Sequence, residues 1–168
     1  QYFGANNLHV GVVGDFDKAR LSQTFEQLLG QWQSRADYAR IKDDFTQVTP
    51  STIEFDTPDK ENATFVAALM LPIGASHPDA PALELANYII GGGFLNSRLA
   101  TRLRQQDGLS YGAGSFITLN PLDKKATLGA YAITAPHNLA KVERGFKEEI
   151  ARVIKDGFTP DEITSALS

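Results

Sequence analysis

The chain has 168 residues, 42% of them hydrophobic and 21% charged, which is the size and composition of one ordinary globular domain able to bury a core. Sixteen Lys and Arg against 20 Asp and Glu leave a formal charge of -4 and no basic surplus to neutralise a phosphate backbone, so nucleic acid is not an expected partner. The absence of cysteine removes disulfides, thiolate metal sites and cysteine nucleophiles, and the longest near-unbroken apolar run, residues 65–73, is about half of what a membrane-spanning helix needs. The first residues, Gln1-Tyr2-Phe3-Gly4, lack the basic and apolar regions of a targeting peptide.

Leu8, Val10, Val12 and Val13 form an apolar, β-branched run closed by Gly14-Asp15, which predicts a buried strand entering a helix capped by Asp15 or Asp17. Leu21, Phe25, Leu28, Leu29 and Trp32 then fall on one helical face, as expected of an amphipathic helix lying on a sheet. Residues 34–50 are rich in charge, end at Thr49-Pro50, and read as a surface connection. Thr52, Ile53 and Phe55 predict an outer strand, whereas residues 64–71 are apolar on both sides and are predicted to lie in mid-sheet.

Asp79-Ala80-Pro81 offers an N-cap with proline in the first turn, and Leu83, Ala86, Ile89 and Ile90 keep helical spacing up to the stop at Gly91-Gly92-Gly93. Asn96 or Ser97 can cap a second helix that holds Leu99 and Leu103 on one face and ends near Asp107, with Gly108 as its left-handed terminator. Residues 109–119 and 126–134 read as antiparallel strands joined by the turn Asn120-Pro121-Leu122-Asp123. Leu139, Val142, Phe146, Ile150, Val153 and Ile154 trace a long amphipathic helix stopped at Gly157.

Thr159-Pro160-Asp161-Glu162 announces one more helix, with barely two turns of sequence before Ser168, and so short a helix is marginal alone. The expectation is a single domain over residues 1–168 that is a fragment of a longer polypeptide. The element order predicts an α+β fold: a two-layer sandwich with a largely antiparallel sheet and helices packed on one face.

His9, His77 and His137 are scattered, and none belongs to an H-E-x-x-H or H-x-x-E-H arrangement, so no metal ligand is assigned and His9 reads as a residue of its strand. The three consecutive glycines follow a helix and lack the spacing of a phosphate loop; a flexible connector is the expected role. Gly112-Ala113-Gly114-Ser115 only approaches the nucleophile elbow, and Asp43-Asp44 and Glu148-Glu149 read as surface charge. No residue is therefore predicted to be catalytic in the isolated chain.

The segment from Arg98 to Gly112 differs in kind, with three arginines in a helix, a reversing glycine, and a tyrosine heading a strand. Together with Leu8-His9-Val10-Gly11-Val12-Val13-Gly14-Asp15-Phe16-Asp17, the block Gly93-Phe94-Leu95-Asn96-Ser97-Arg98-Leu99 through Gly108-Leu109-Ser110-Tyr111, and Thr159-Pro160-Asp161-Glu162, it resembles the pitrilysin or insulinase family of zinc peptidases, the inverzincins. The resemblance covers nearly the whole chain and is to the second α/β subdomain of the half that lacks the zinc motif.

It implies that the chain holds no cofactor and that zinc sits in a partner half of the same or another polypeptide. It also implies peptide substrates, and an exported or periplasmic bacterial setting. Arg104 and Tyr111 match the arginine and tyrosine, seven positions apart, with which the family holds substrate across from the metal. A guanidinium and a phenol suit that task, because both donate hydrogen bonds to a peptide carbonyl or to the oxyanion that forms on it. The alternative is a purely structural core or assembly domain, as in relatives without proteolytic activity. A stand-alone ligand-binding module would need a complete final helix.

Overall fold

The computed structural model describes residues 3–168, which divide into two compact units, one ending at Lys42 and the other running from Asp43 to Ser168. The first unit holds a 3₁₀ turn, Ala5–Asn7, and the helix α1, Lys18–Leu29. Asp17, not Asp15, starts this helix: its Oδ1 accepts the Arg20 N–H at 3.0 Å and satisfies a donor that the first turn leaves free. Leu21, Phe25 and Leu29 are half-buried along one side.

The strand expected at residues 8–13 does not form, and Leu8, His9, Val10, Val12 and Val13 are exposed. β-Branched residues favour extended backbone, but a strand exists only where a neighbour completes its ladder. Among its described residues this unit has no sheet, so α1 has none to lie on within it.

The second unit is built on three antiparallel strands, β1 (Ala63–Leu71), β2 (Ser110–Leu119) and β3 (Ala126–Thr134), in the order β1-β3-β2. The hairpin between β2 and β3 turns as expected: Asn120 Oδ1 accepts the N–H groups of Leu122 and Asp123, each at 2.9 Å, and so tightens the proline-containing turn. Ala63 to Leu71 of β1 run in register against Thr134 to Ala126. The strand predicted for mid-sheet is thus an edge strand, and β3 is central. An apolar run reports what the two faces of a strand require, not which strands lie beside it. Residues 52–55 form no strand, and Ile53 and Phe55 are exposed.

Helices complete this unit, two of them extended by π-helical turns. The helix α2 (Ala80–Asn87) continues as a π-helical turn, Tyr88–Gly92. A short α3 (Arg98–Ala100) likewise continues as a π-helical turn, Thr101–Gln106. The others are α4 (Leu139–Asp156) and α5 (Pro160–Leu167). Helical Ile90, Leu99, Leu103 and Val142 pack on Ala130 and Ala132 of β3, and the Phe65 and Phe146 rings meet at 5.2 Å between centroids. The period of two puts Tyr131 and Ile133 on the opposite, open face of the sheet. The architecture is therefore α+β in two layers, as expected, with a three-stranded antiparallel sheet.

The triple glycine corrects another expectation. Gly91 is buried, and a β-carbon there would strike the backbone of Gly114 and Ser115, so the π-helical turn lies directly against β2. Ser115 Oγ adds a 3.0 Å hydrogen bond to the Asn87 carbonyl. The glycines are a close-packing surface, and the helix runs through Gly92 instead of stopping ahead of a flexible connector.

Candidate functional site

Arg104 and Tyr111 belong to a single helix-to-strand junction. The helix beginning at Arg98 is preceded by Ser97, not Asn96, although the Ser97 hydroxyl donates to the Phe94 carbonyl at 2.8 Å instead of capping the helix. Buried Leu99 and Leu103 pin it to the core. After Ala100 the winding loosens into the π-helical turn that carries Arg104, closed by the Asp107 N–H on the Arg102 carbonyl at 3.0 Å. Arg102 reinforces the end of this turn through ion pairs of 2.9 Å to Asp107 and to Glu148. Gly108, at φ +61°, reverses the chain as expected, and Leu109 N–H bonds back to the Leu103 carbonyl at 2.9 Å.

The strand then opens on a bulge. Ser110 pairs with Thr134 and Gly112 with Ile133, leaving Tyr111 as the extra residue. The buried Ser110 hydroxyl holds the bulge: Oγ lies 2.8 Å from the Ile133 carbonyl and 2.7 Å from the Gly112 carbonyl, and it accepts the Gly112 N–H at 3.2 Å. Tyr111 is consequently 67% exposed. Arg104 is exposed as well, and neither side chain has a hydrogen-bond or ion-pair partner among the described residues. Two irregularities, a π-helical turn and a bulge, flank one reversal, and both are devices that re-aim side chains.

Sequence reasoning passed over Arg98. Its guanidinium donates from Nε and Nη2 to the Glu162 carboxylate at 2.6 and 2.7 Å and from Nη2 to the Gly157 carbonyl at 2.9 Å. It also lies 3.7 Å from buried Glu149 and 5.2 Å from the centre of the Phe158 ring. The hydrogen bonds from Arg98, with those from Thr159, hold the Glu162 carboxyl at about 2, well below its ordinary value, against the opposing effect of burial. The arginine was visible in the sequence, but nothing local marks it as one that burial pairs with two carboxylates.

The histidines do not converge. His9 and His137 are exposed, and His77 accepts the Asp79 N–H at 3.2 Å, with its Nδ1 3.8 Å from the Asp79 carboxylate. Asp79 itself makes no side-chain cap on α2. Among the described residues no group of three His, Asp or Glu side chains could hold a metal ion, so these residues do not fit a zinc site. No helix among them is long and apolar enough to cross a membrane.

The two-layer α+β fold is that of a domain of the peptidase type named by the resemblance. The chain belongs to the family described as the peptidase M16 inactive domain, which it matches over residues 1–168, the inactive half of the pitrilysin/insulinase type. Among solved structures it is similar to a peptidase M16 inactive domain from Pseudomonas fluorescens, at 26% identity and a TM-score of 0.59, with 64% of this chain and 25% of that chain covered. A protease from Helicobacter pylori shares the fold at 17% identity and a TM-score of 0.68, over 92% of this chain and 37% of that one. The periplasmic protease PqqL from Escherichia coli does so at 15% identity and 0.66, over 91% and 17%. The chain thus spans well under half of each of these proteins. No curated protein matches it.

Proposed function

We propose that this domain is the zinc-free part of a zinc metalloendopeptidase, closing its chamber and holding peptide substrate opposite a zinc site carried by a partner half. The observation that carries the reading is the free and exposed state of Arg104 and Tyr111 at one reinforced junction. A cation and a phenol without partners are left with unspent donors, and the π-helical turn and the bulge keep both side chains out of the core. The Arg104 guanidinium anchors a peptide carbonyl, and the Tyr111 hydroxyl donates to the same group or to the oxyanion formed on it during hydrolysis. Both acts are hydrogen bonding, and neither requires this chain to bind metal. The fold shared with a periplasmic protease supports an exported setting.

The test is substitution in the assembled peptidase. Arg104→Ala and Tyr111→Phe should each lower kcat/KM by about 10²–10³, the usual loss for one donor to an oxyanion, with zinc content unchanged. The isolated domain should not cleave peptides. Unchanged turnover in both variants would replace this reading with a structural core or assembly role.

A further inference from the structure

We infer that Phe94 is a specificity-determining residue which receives an apolar side chain of the peptide held by Arg104 and Tyr111; this rests on the function proposed above. Phe94 is the one non-glycine residue with positive φ among those described, at +54°. Its side chain is also 76% exposed. A left-handed backbone disfavours an L residue, and an exposed benzyl group leaves apolar surface in water. Both effects work against the fold, and in a loop that follows three glycines either could have been relieved by a smaller or more polar residue.

The loop is nevertheless tightly built. Gly93 N–H bonds the Tyr88 carbonyl at 2.7 Å, and the Phe94 carbonyl accepts from Ser97 Oγ at 2.8 Å. Gln105 Nε2 donates to the Leu95 carbonyl at 2.7 Å, tying the residue next to Phe94 to the residue next to Arg104. An exposed aromatic ring on a fixed support, linked to the helical turn that carries the anchoring arginine, provides an apolar contact at little entropic cost. Strained backbone bearing an otherwise unfavourable side chain is a pattern that clusters where ligands are clamped. The occupant that fits is an aliphatic or aromatic residue of an extended peptide whose backbone is engaged by Arg104 and Tyr111.

The experiment uses Phe94→Gly in the assembled peptidase, because glycine accepts φ +54° without strain and the fold should suffer no loss. Two peptide series are compared, identical except that each position in turn carries Leu or Ser. The expected result is an unchanged or raised Tm, a fall of about tenfold in kcat/KM for Leu peptides at one position, and no change for Ser peptides. Equal losses in both series, or no loss in either, would overturn the inference. Arg104→Ala tested on the same peptides separates the two ideas: it should depress both series alike, and its failure to do so would sink the proposed function independently of the Phe94 result.

Discussion

Arg98 and Glu162, 64 residues apart, form a bidentate ion pair that fastens the first turn of α3 to the first turn of α5. The carboxylate works twice. Glu162 Oε2 also accepts the Thr159 N–H at 2.7 Å, while the Glu162 N–H returns a bond to Thr159 Oγ1, completing a capping box. One side chain therefore starts α5 and docks it.

Arg98→Ala should be among the most damaging polar substitutions in the domain. It leaves the Glu149 side chain, 5% exposed, with only the more exposed Arg152 at 3.0 Å and releases Glu162. Losing hydrogen bonds between charged groups of this kind costs about 1.5–3 kcal/mol. Urea denaturation of the wild type and the variant measures this directly, and a loss below about 1 kcal/mol would show that the network is solvated.

Acid should loosen the same contact. Hydrogen bonds from Arg98 lower the folded Glu162 pKa to about 2 from 4.5. The linked stability is therefore full above about pH 4.5 and is lost as pH falls toward 2. Because the carboxylate is 29% exposed, screening reduces the contribution to about 1–2 kcal/mol. Glu162→Gln should be less stable than wild type at pH 6, and the gap should close by pH 2; a gap constant with pH would refute the linkage.

Gly91→Ala is expected to cost about 1–3 kcal/mol, since a β-carbon would drive the π-helical turn away from β2. Gly112→Ala is the matched control: a β-carbon there meets nothing within 4 Å, and the stability change should stay within about 0.5 kcal/mol. Thermal unfolding of the two variants side by side checks the difference.

Ser110→Ala removes the hydroxyl that holds the bulge. It leaves the Gly112 N–H and the Ile133 carbonyl short of a partner in a half-buried setting, which costs about 1 kcal/mol. Amide hydrogen exchange should rise first at the start of β2. If Tyr111 serves substrate, kcat/KM should fall in this variant more than in an equally destabilised one far from the bulge.

Much of the local structure was legible because the responsible signals act over a few residues. Thr159-Pro160-Asp161-Glu162 announced a helix start, which the structure completes as a capping box, Gly108 and Gly157 ended helices with φ of +61° and +70°, and Asn120 closed its hairpin. The α+β class followed from the order of elements, and the motif block around Arg104 and Tyr111 pointed to the family.

Long-range pairing was not legible. Residues 8–13 and 52–55 have strand-like composition yet form no strand, and the most apolar strand occupies an edge, because hydrogen-bonded neighbours are chosen across the fold and leave no mark in the run itself. The same holds for the site. The family resemblance named Arg104 and Tyr111, but the π-helical turn and the bulge that expose them depend on the burial of Leu103 in the core and on the bond from Ser110 to the Ile133 carbonyl across the sheet. Arg98 looked like one helix cation among three, and its burial between Glu149 and Glu162 depends on where α4 and α5 come to rest. Short-range stereochemistry is written in adjacent residues, whereas burial and pairing exist only once the chain has closed on itself.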